Sequence, residues 1–288
     1  MNNLTQRIMT ATVLITAVVL LLFKASLIVF TGVVYLCGIL AIWELWRLIQ
    51  PNNKVSLAVM MSSYSVVAAL LQFYALTDFL WIIGFGHSLL TLYLLYYQPK
   101  LQTMLVAIYG SILLAVVVYS MVILQEFGSW VLLSAMSLVW LTDAGGYFVG
   151  KSLGKKLFKL DFSPNISPKK SWEGAIGGAF IATISTILTL YFSLDTWLLR
   201  SVKPNNLQVT FPTDFAWQLI IILLPLVLAV YSITGDLVES LLKRQAGVKD
   251  SSQLLPGHGG ILDRIDALIP VLPLCAAWVI YLESVSVY

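Results

Sequence analysis

Apolar residues fill this chain in long runs, and the breaks between runs carry charges, Pro or Asn. The runs lie at approximately 8–23, 26–46, 55–76, 79–97, 103–124, 129–149, 174–194, 216–234 and 267–284. A helix crosses the hydrocarbon layer with about 20 apolar residues. Backbone groups in lipid must be satisfied within their own segment, and these runs far exceed the length of a barrel strand. The pattern therefore predicts an all-α polytopic transmembrane helix bundle of about nine spans. No internal repeat and no low-complexity segment interrupts it.

Composition points the same way. Of 288 residues, 59% are hydrophobic and 11% charged, against roughly 25% charged in a soluble domain. Cys37 and Cys275 both sit in apolar runs, where a thiol acts as a small hydrophobe. Neither a disulfide framework nor a zinc spacing exists, and two histidines cannot make a zinc site. The opening MNNLTQR lacks an A-x-A-like cleavage site after its apolar run, so residues 8–23 are expected to remain as a helix. With no extension before that run, a bacterial plasma membrane protein is expected.

The basic residues orient the bundle, because Lys and Arg favour short cytoplasmic loops. With the N-terminus cytoplasmic and nine crossings, the inner side receives Arg7, Arg47, Lys54, Lys100, Lys151, Lys155, Lys156, Lys159, Lys169, Lys170, Lys243, Arg244, Lys249 and Arg264. The outer side receives Lys24, Arg200 and Lys203, a split of fourteen to three among the 17 basic residues. Ten of the fourteen fall in two loops, 150–173 and 235–266. Anionic headgroups alone would favour such loops; the acids and glycines among the lysines ask for more.

Three polar stretches hold the candidate chemistry. In WLTDAGGYFVGKSLGKK (140–156), Asp143 lies in or at the end of an apolar helix, where a carboxylate needs a partner, water or a metal. Tyr147 follows one turn later, so both can face one cavity, and Gly145, Gly146 and Gly150 suit close helix packing. In NISPKKSWEGAIGG (165–178), Lys169 and Lys170 precede a helix that Ser171 and Gly174 permit to start, a combination that receives phosphate. Glu173 suits the positive end of that helix, and Trp172 an interfacial anchor. In 232–266, Asp236 follows Gly235, which allows close backbone approach. Asp263 and Asp266 are three apart, so a helix starting near Ile261 would project both from one face.

Acids beside Lys243, Arg244, Lys249 and Arg264 make a mixed site, which a divalent cation reconciles. Magnesium takes one or two carboxylates plus phosphate oxygens, and the basic side chains hold the remaining phosphate charge. Gly257, Gly259 and Gly260 would let backbone N–H groups reach an oxyanion. His258 donates to phosphate or caps the loop, and His87 has no assigned role.

SLLKRQAGVKDSSQLLPGHGGILDRID (240–266) resembles the signature of the phosphatidate cytidylyltransferases, also called CDP-diacylglycerol synthases. TDAGGYFVGK, SPKKSWEG and Gly235-Asp236 extend the resemblance over roughly residues 140–270, with Ser171 where Thr is common and Gly146 where Ala is. The resemblance implies transfer of a cytidylyl group from CTP to phosphatidate, with magnesium and potassium as a second metal. It implies metal ligands at Asp236, Asp263 and Asp266, with Lys249 and Arg264 beside them in the reaction. Asp143, Lys169, Lys170, Lys243, Arg244, Asp250, His258, Gly259 and Gly260 would hold the two substrates. Residues 1–128 then form an N-terminal helical region and 129–288 a catalytic one. CTP, phosphatidate and the bilayer are the expected partners; nucleic acid is not, and a homodimer stays open. A CTP-dependent polyprenol or lipid kinase is the nearest alternative. A secondary transporter would favour repeated halves and a site at the midplane, and the D-x-x-D-G-x-x-A-R spacing of CDP-alcohol phosphotransferases is missing.

Overall fold

The computed structural model describes residues 3–74, 78–193 and 215–285. The described residues form helices α1 (Asn3–Phe23), α2 (Leu27–Ile49), α3 (Lys54–Tyr74), α4 (Asp78–Tyr97), α5 (Met104–Phe127), α6 (Ser129–Leu153) and α7 (Trp172–Ser193). They continue with α8 (Phe215–Gln245), the single turn α9 (Leu262–Ile265) and α10 (Leu272–Val285). The only β pairing among them is an isolated bridge between Leu255 and Gly259. Seven helices, α1 to α6 and α8, are long and apolar enough to cross a membrane; α7 and α10 contribute shorter apolar stretches, Trp172–Leu188 and Leu272–Ser284. The protein is an all-α polytopic membrane bundle.

Among the described residues, α1 to α8 and α10 occupy the positions of the nine apolar runs, with two informative differences. α8 does not stop at 234. It continues to Gln245, because the polar residues past Gly235 pair along the helix: Glu239 forms an i,i+4 ion pair with Lys243, and Ser240 Oγ donates to Asp236 Oδ1 at 3.2 Å. The loop expected from 235 thus begins at 246, and Asp236, Lys243 and Arg244 are helical. α10 begins at Leu272 rather than 267, with Pro273 in its first turn, where a missing N–H costs nothing.

α5 runs through the centre, with Leu113–Ser120 and Val122–Leu124 buried against α2, α3, α6 and α10. α6 and α7 cross at the closest approach. A methyl group on Gly178 would fall on the Thr142 carbonyl, and one on Gly174 on the Gly146 carbonyl. Small residues let membrane helices bring their backbones together, so the packing reading of Gly145 and Gly146 holds.

Hydrogen bonds gather most of the basic loops at one end. Gln245 at the end of α8 accepts from Leu101 N at 2.8 Å and donates to the Pro99 carbonyl at 2.8 Å. Arg244 Nε donates to the Ile166 carbonyl at 3.3 Å. Arg7 lies against Gly257. Leu22, two residues before Lys24, instead meets Gln125 and Ser129 at the α5–α6 junction, the opposite end. Arg200 and Lys203, assigned to the outer side, lie outside the described residues.

Candidate active site

A cleft of about 420 Å³ opens between α6, α7 and α8 at the basic end. α6 lines it with Thr142, Asp143, Gly146, Tyr147, Gly150 and Lys151; the α7 start adds Lys169, Lys170, Ser171 and Gly174; α8 adds Ile233 and Asp236. The first two polar stretches and the start of the third therefore converge. Ser171 Oγ accepts from Gly174 N at 3.1 Å, which caps α7 and sets Lys169 and Lys170 before its first turn. Lys170 Nζ reaches Asp236 Oδ2 at 2.5 Å. Asp143 and Tyr147, one turn apart, share the wall.

Behind Asp236 lies an acidic group. Ligand oxygens of Asp236, Glu239 and Asp266 lie within 4.8 Å of one another. Glycine creates this meeting: a Cβ on Gly235 would strike the Asp266 carbonyl and the Pro270 ring, so only glycine lets the turn after α9 lie flat on α8. Asp266 Oδ1 accepts from Ala267 N at 2.7 Å. Burial pushes the Asp266 carboxyl up to about 7, and the Asp236 charge adds to the rise. Glu239 is buried, with Oε2 paired to Lys243 and Oε1 without a hydrogen-bond partner. An all-oxygen, acid-rich group with unfilled acceptors suits a hard cation.

Asp263 does not join this group, contrary to the one-face expectation. The backbone from Ile261 to Asp266 is helical, as expected, but a set of donors captures the Asp263 side chain. Its oxygens accept from Lys243 Nζ at 2.7 Å, Gly260 N at 2.7 Å, Ser251 N at 2.9 Å and Ser251 Oγ at 2.8 Å. Burial alone would raise this carboxyl, but the Gly260 N–H, Lys243 and the Ser251 N–H outweigh it and hold it at about 2. The Gly260 N–H is thereby committed and cannot face an oxyanion as the sequence suggested. Gly259, at φ 83°, has no room for a side chain over Asp263.

Other candidates are engaged with neighbouring backbone or acids, or lie outside the cleft lining. Arg264 donates through Nε and Nη2 to the His258 carbonyl, at 3.1 and 2.7 Å. His258 N donates to Leu255 O at 2.8 Å, and its Nδ1 is buried without a partner. Arg244 is committed to Ile166, and Lys243 bridges Glu239 and Asp263. Lys249 and Asp250 are exposed in the loop after α8, and neither lines the cleft.

Two acids stand outside the sequence-derived candidates. Glu239 carries the same three-residue spacing from Asp236 that drew attention to Asp263 and Asp266, and that spacing on a continuing α8 is the signal that finds it. Glu44, wholly buried on α2, holds residues 251–262 from the other half of the chain. Its Oε1 accepts from Ser252 Oγ at 2.6 Å and Ile261 N at 3.0 Å; its Oε2 accepts from Ser251 Oγ at 3.1 Å and Leu262 N at 2.7 Å. A Cβ on Gly260 would collide with this carboxylate. An acid inside the apolar run LAIWELWRL is a functional candidate by default.

Glu173 is also more than a helix-dipole residue: its Oε1 accepts from Leu157 N and Phe158 N, both at 2.9 Å, and fixes the loop after α6. Trp172 packs edge-on against Phe162, ring centroids 4.7 Å apart.

A family model described as the cytidylyltransferase family matches residues 5–282. The phosphatidate cytidylyltransferase of Haemophilus influenzae is 44% identical over 146 residues, covering 51% of this chain and 44% of that protein. That of Staphylococcus aureus is 43% identical over 147 residues, 50% and 46% of the two chains. That of Pseudomonas aeruginosa is 38% identical over 171 residues, 58% and 55%. The chain thus spans about half the length of the curated relatives it matches. Because the family match runs from the first helix to the last and takes in the cleft, the acidic group and the loop that Glu44 holds, this chain belongs to the cytidylyltransferase family.

Proposed function

We propose that this chain transfers the cytidylyl group of CTP to phosphatidate, giving CDP-diacylglycerol and pyrophosphate. The observation that carries the reading is the acidic group of Asp236, Glu239 and Asp266 set directly behind a cleft edged by Lys151, Lys169 and Lys170. In the reaction a phosphatidate oxygen bonds to the α-phosphorus of CTP while the bond to pyrophosphate breaks. That oxygen is anionic at neutral pH, so no strong general base is demanded. The barrier is the approach of two polyanions, and it falls with fixed positive charge and alignment.

Lys169 and Lys170 supply charge at the mouth of the α7 helix, whose N-terminus favours phosphate. Lys170 holds Asp236 and thereby links the phosphate side of the cleft to the acidic side. Lys243, clamped between Glu239 and Asp263, keeps α9 against α8 and so keeps Asp266 in place. Magnesium held by Asp236, Glu239 and Asp266 would neutralise charge on the attacking and leaving phosphate oxygens. Potassium would be a companion ion, balanced by the phosphates of the substrates rather than by the three carboxylates alone.

The two substrates differ in phase, and a cleft at the end of the helices serves both. Phe148 and Phe180, exposed on α6 and α7, would face acyl chains, while CTP enters from the basic end. We assign that end to the cytoplasmic side of a bacterial plasma membrane on the fourteen-to-three distribution of Lys and Arg. All the residues named come from one chain, so the reading holds for a monomer and for a homodimer.

The test is direct. Solubilised protein supplied with labelled CTP, phosphatidate and magnesium should release pyrophosphate and form CDP-diacylglycerol. Release of CDP with a phosphorylated lipid would mean a kinase, and neither product would refute transfer chemistry and leave transport.

A further inference from the structure

The segment KSLGKKLFKL, residues 151–160, closes α6 and turns back towards α7. It has a fixed shape. Lys155 adopts a positive φ of 60°, Lys156 N donates to Leu153 O at 3.0 Å, and Lys155 pairs with Asp161 at 2.5 Å. From beneath, Glu173 accepts the N–H groups of Leu157 and Phe158. This loop displays large apolar side chains outward: Leu157 is 72% and Leu160 77% exposed, with Leu153 and Phe158 also exposed. Exposed Lys155, Lys156 and Lys159 alternate with them.

A charge bias for topology accounts for lysines but not for leucines held outward on a braced loop. Water is a poor environment for those leucines, and hydrocarbon is a poor one for the lysines. The boundary between phosphate headgroups and acyl chains satisfies both, with apolar tips sunk into the boundary and ammonium groups among the phosphates. The apolar surface is continuous with α6, where Tyr147 and Phe148 are exposed just before the loop. Tyr147 and Lys151 also line the cleft, so the loop begins at the cleft mouth.

We propose that residues 153–160 form a docking surface for anionic phospholipid of the surrounding bilayer, gathering negatively charged lipid beside the cleft. Its benefit to catalysis rests on the function proposed above; the lipid binding itself does not. Each lysine near an anionic surface favours it by about 1 kcal/mol, roughly fivefold in association. The Lys155–Asp161 pair reduces the share of one of the three.

The experiment reconstitutes the full chain in phosphatidylcholine nanodiscs and compares spin-labelled phosphatidylglycerol with spin-labelled phosphatidylcholine, without nucleotide. The native protein should immobilise the anionic probe preferentially, and salt should weaken the preference. The K155Q/K156Q/K159Q variant should lose at least about fivefold of it, with pyrophosphate release at saturating phosphatidate unchanged. The L157S/L160S variant should keep the preference at low salt and lose it at lower salt than the native protein does. Equal immobilisation of both probes by the native protein, a preference indifferent to salt, or full preference in the lysine variant would each overturn the proposal. So would protection of the loop by soluble acidic protein in place of lipid. An intact probe preference in a protein without cytidylyl transfer would remove the proposed function and leave the docking surface standing.

Discussion

Replacing Glu44 with Gln tests whether one buried carboxylate on α2 shapes the distant loop that carries Asp263 and Asp266. The side chain keeps its length but exchanges one oxygen for an NH2 group. If the amide nitrogen stands at Oε1 it faces Ser252 Oγ and the Ile261 N–H; at Oε2 it faces Ser251 Oγ and the Leu262 N–H. A hydroxyl can rotate and accept, but a backbone N–H cannot. One buried N–H is therefore orphaned in either orientation, at a cost of about 1–3 kcal/mol. The other contacts also lose the charge on their acceptor, so the total is about 2–4 kcal/mol. Local opening of residues 251–262 should then become about thirtyfold to several hundredfold more frequent. Amide hydrogen exchange of the solubilised protein reads this directly: Ile261 and Leu262 should exchange faster by that factor, while α5 amides hold their rate. Pyrophosphate release should fall in parallel with membrane insertion intact. Glu44→Asp, which keeps both oxygens, should fall between. Unchanged protection of Ile261 and Leu262 in Glu44→Gln would refute the reasoning, whatever the activity.

The composition of the acidic group separates Glu239, which stands outside the sequence-derived candidates, from Asp263, which stands among them. Glu239→Gln should weaken Mn2+ binding, read by electron paramagnetic resonance, by at least about tenfold. Asp263→Asn leaves the three clustered carboxylates present and weakens only one arm of the Lys243 clamp, so Mn2+ binding should fall less than in Glu239→Gln while turnover drops; equal loss of Mn2+ in both variants would return Asp263 to the ligand set. Asp266, raised to about 7, holds its proton below that pH in the metal-free protein, and a cation must displace it. Mn2+ affinity should accordingly fall as pH drops from 8 to 6, and Asp266→Asn should make the fall shallower. Gly178→Ala forces a methyl group onto the Thr142 carbonyl and the backbone of Gly146; thermal unfolding in detergent should show a loss of about 1–3 kcal/mol, and a native melting temperature would contradict the close α6–α7 crossing.

The bundle was readable from the chain because hydrophobicity in a membrane is a local requirement: each run must satisfy its own backbone, so each announces itself without knowledge of its neighbours. The cleft was readable in part for a similar reason. Asp143 and Tyr147 share a helix face by spacing, and Lys169 and Lys170 precede a capped helix start. Asp236 follows a glycine whose only use is close approach. What local pattern does not carry is competition for donors. Asp263 and Asp266 look equivalent in DRID, yet Lys243, Ser251 and the Gly260 N–H all converge on Asp263, because the loop folds back over it. Asp266 is left with one backbone donor and two acidic neighbours. A carboxylate already saturated with donors has little left to offer a cation, whereas one crowded by other carboxylates gains from it.

The same logic explains why Glu44 escapes a motif-based reading. Its partners are 207 or more residues away, and two of them are backbone N–H groups that carry no sequence signature. An isolated acid in an apolar helix states only that something must compensate it. Here the compensation is the loop itself, since the four donors that quiet Glu44 belong to the strand of chain that Asp263 also organises. That end of the bundle is therefore held by two carboxylates serving as scaffold, which leaves three others, Asp236, Glu239 and Asp266, crowded together with few backbone donors, the arrangement in which a cation would relieve most repulsion.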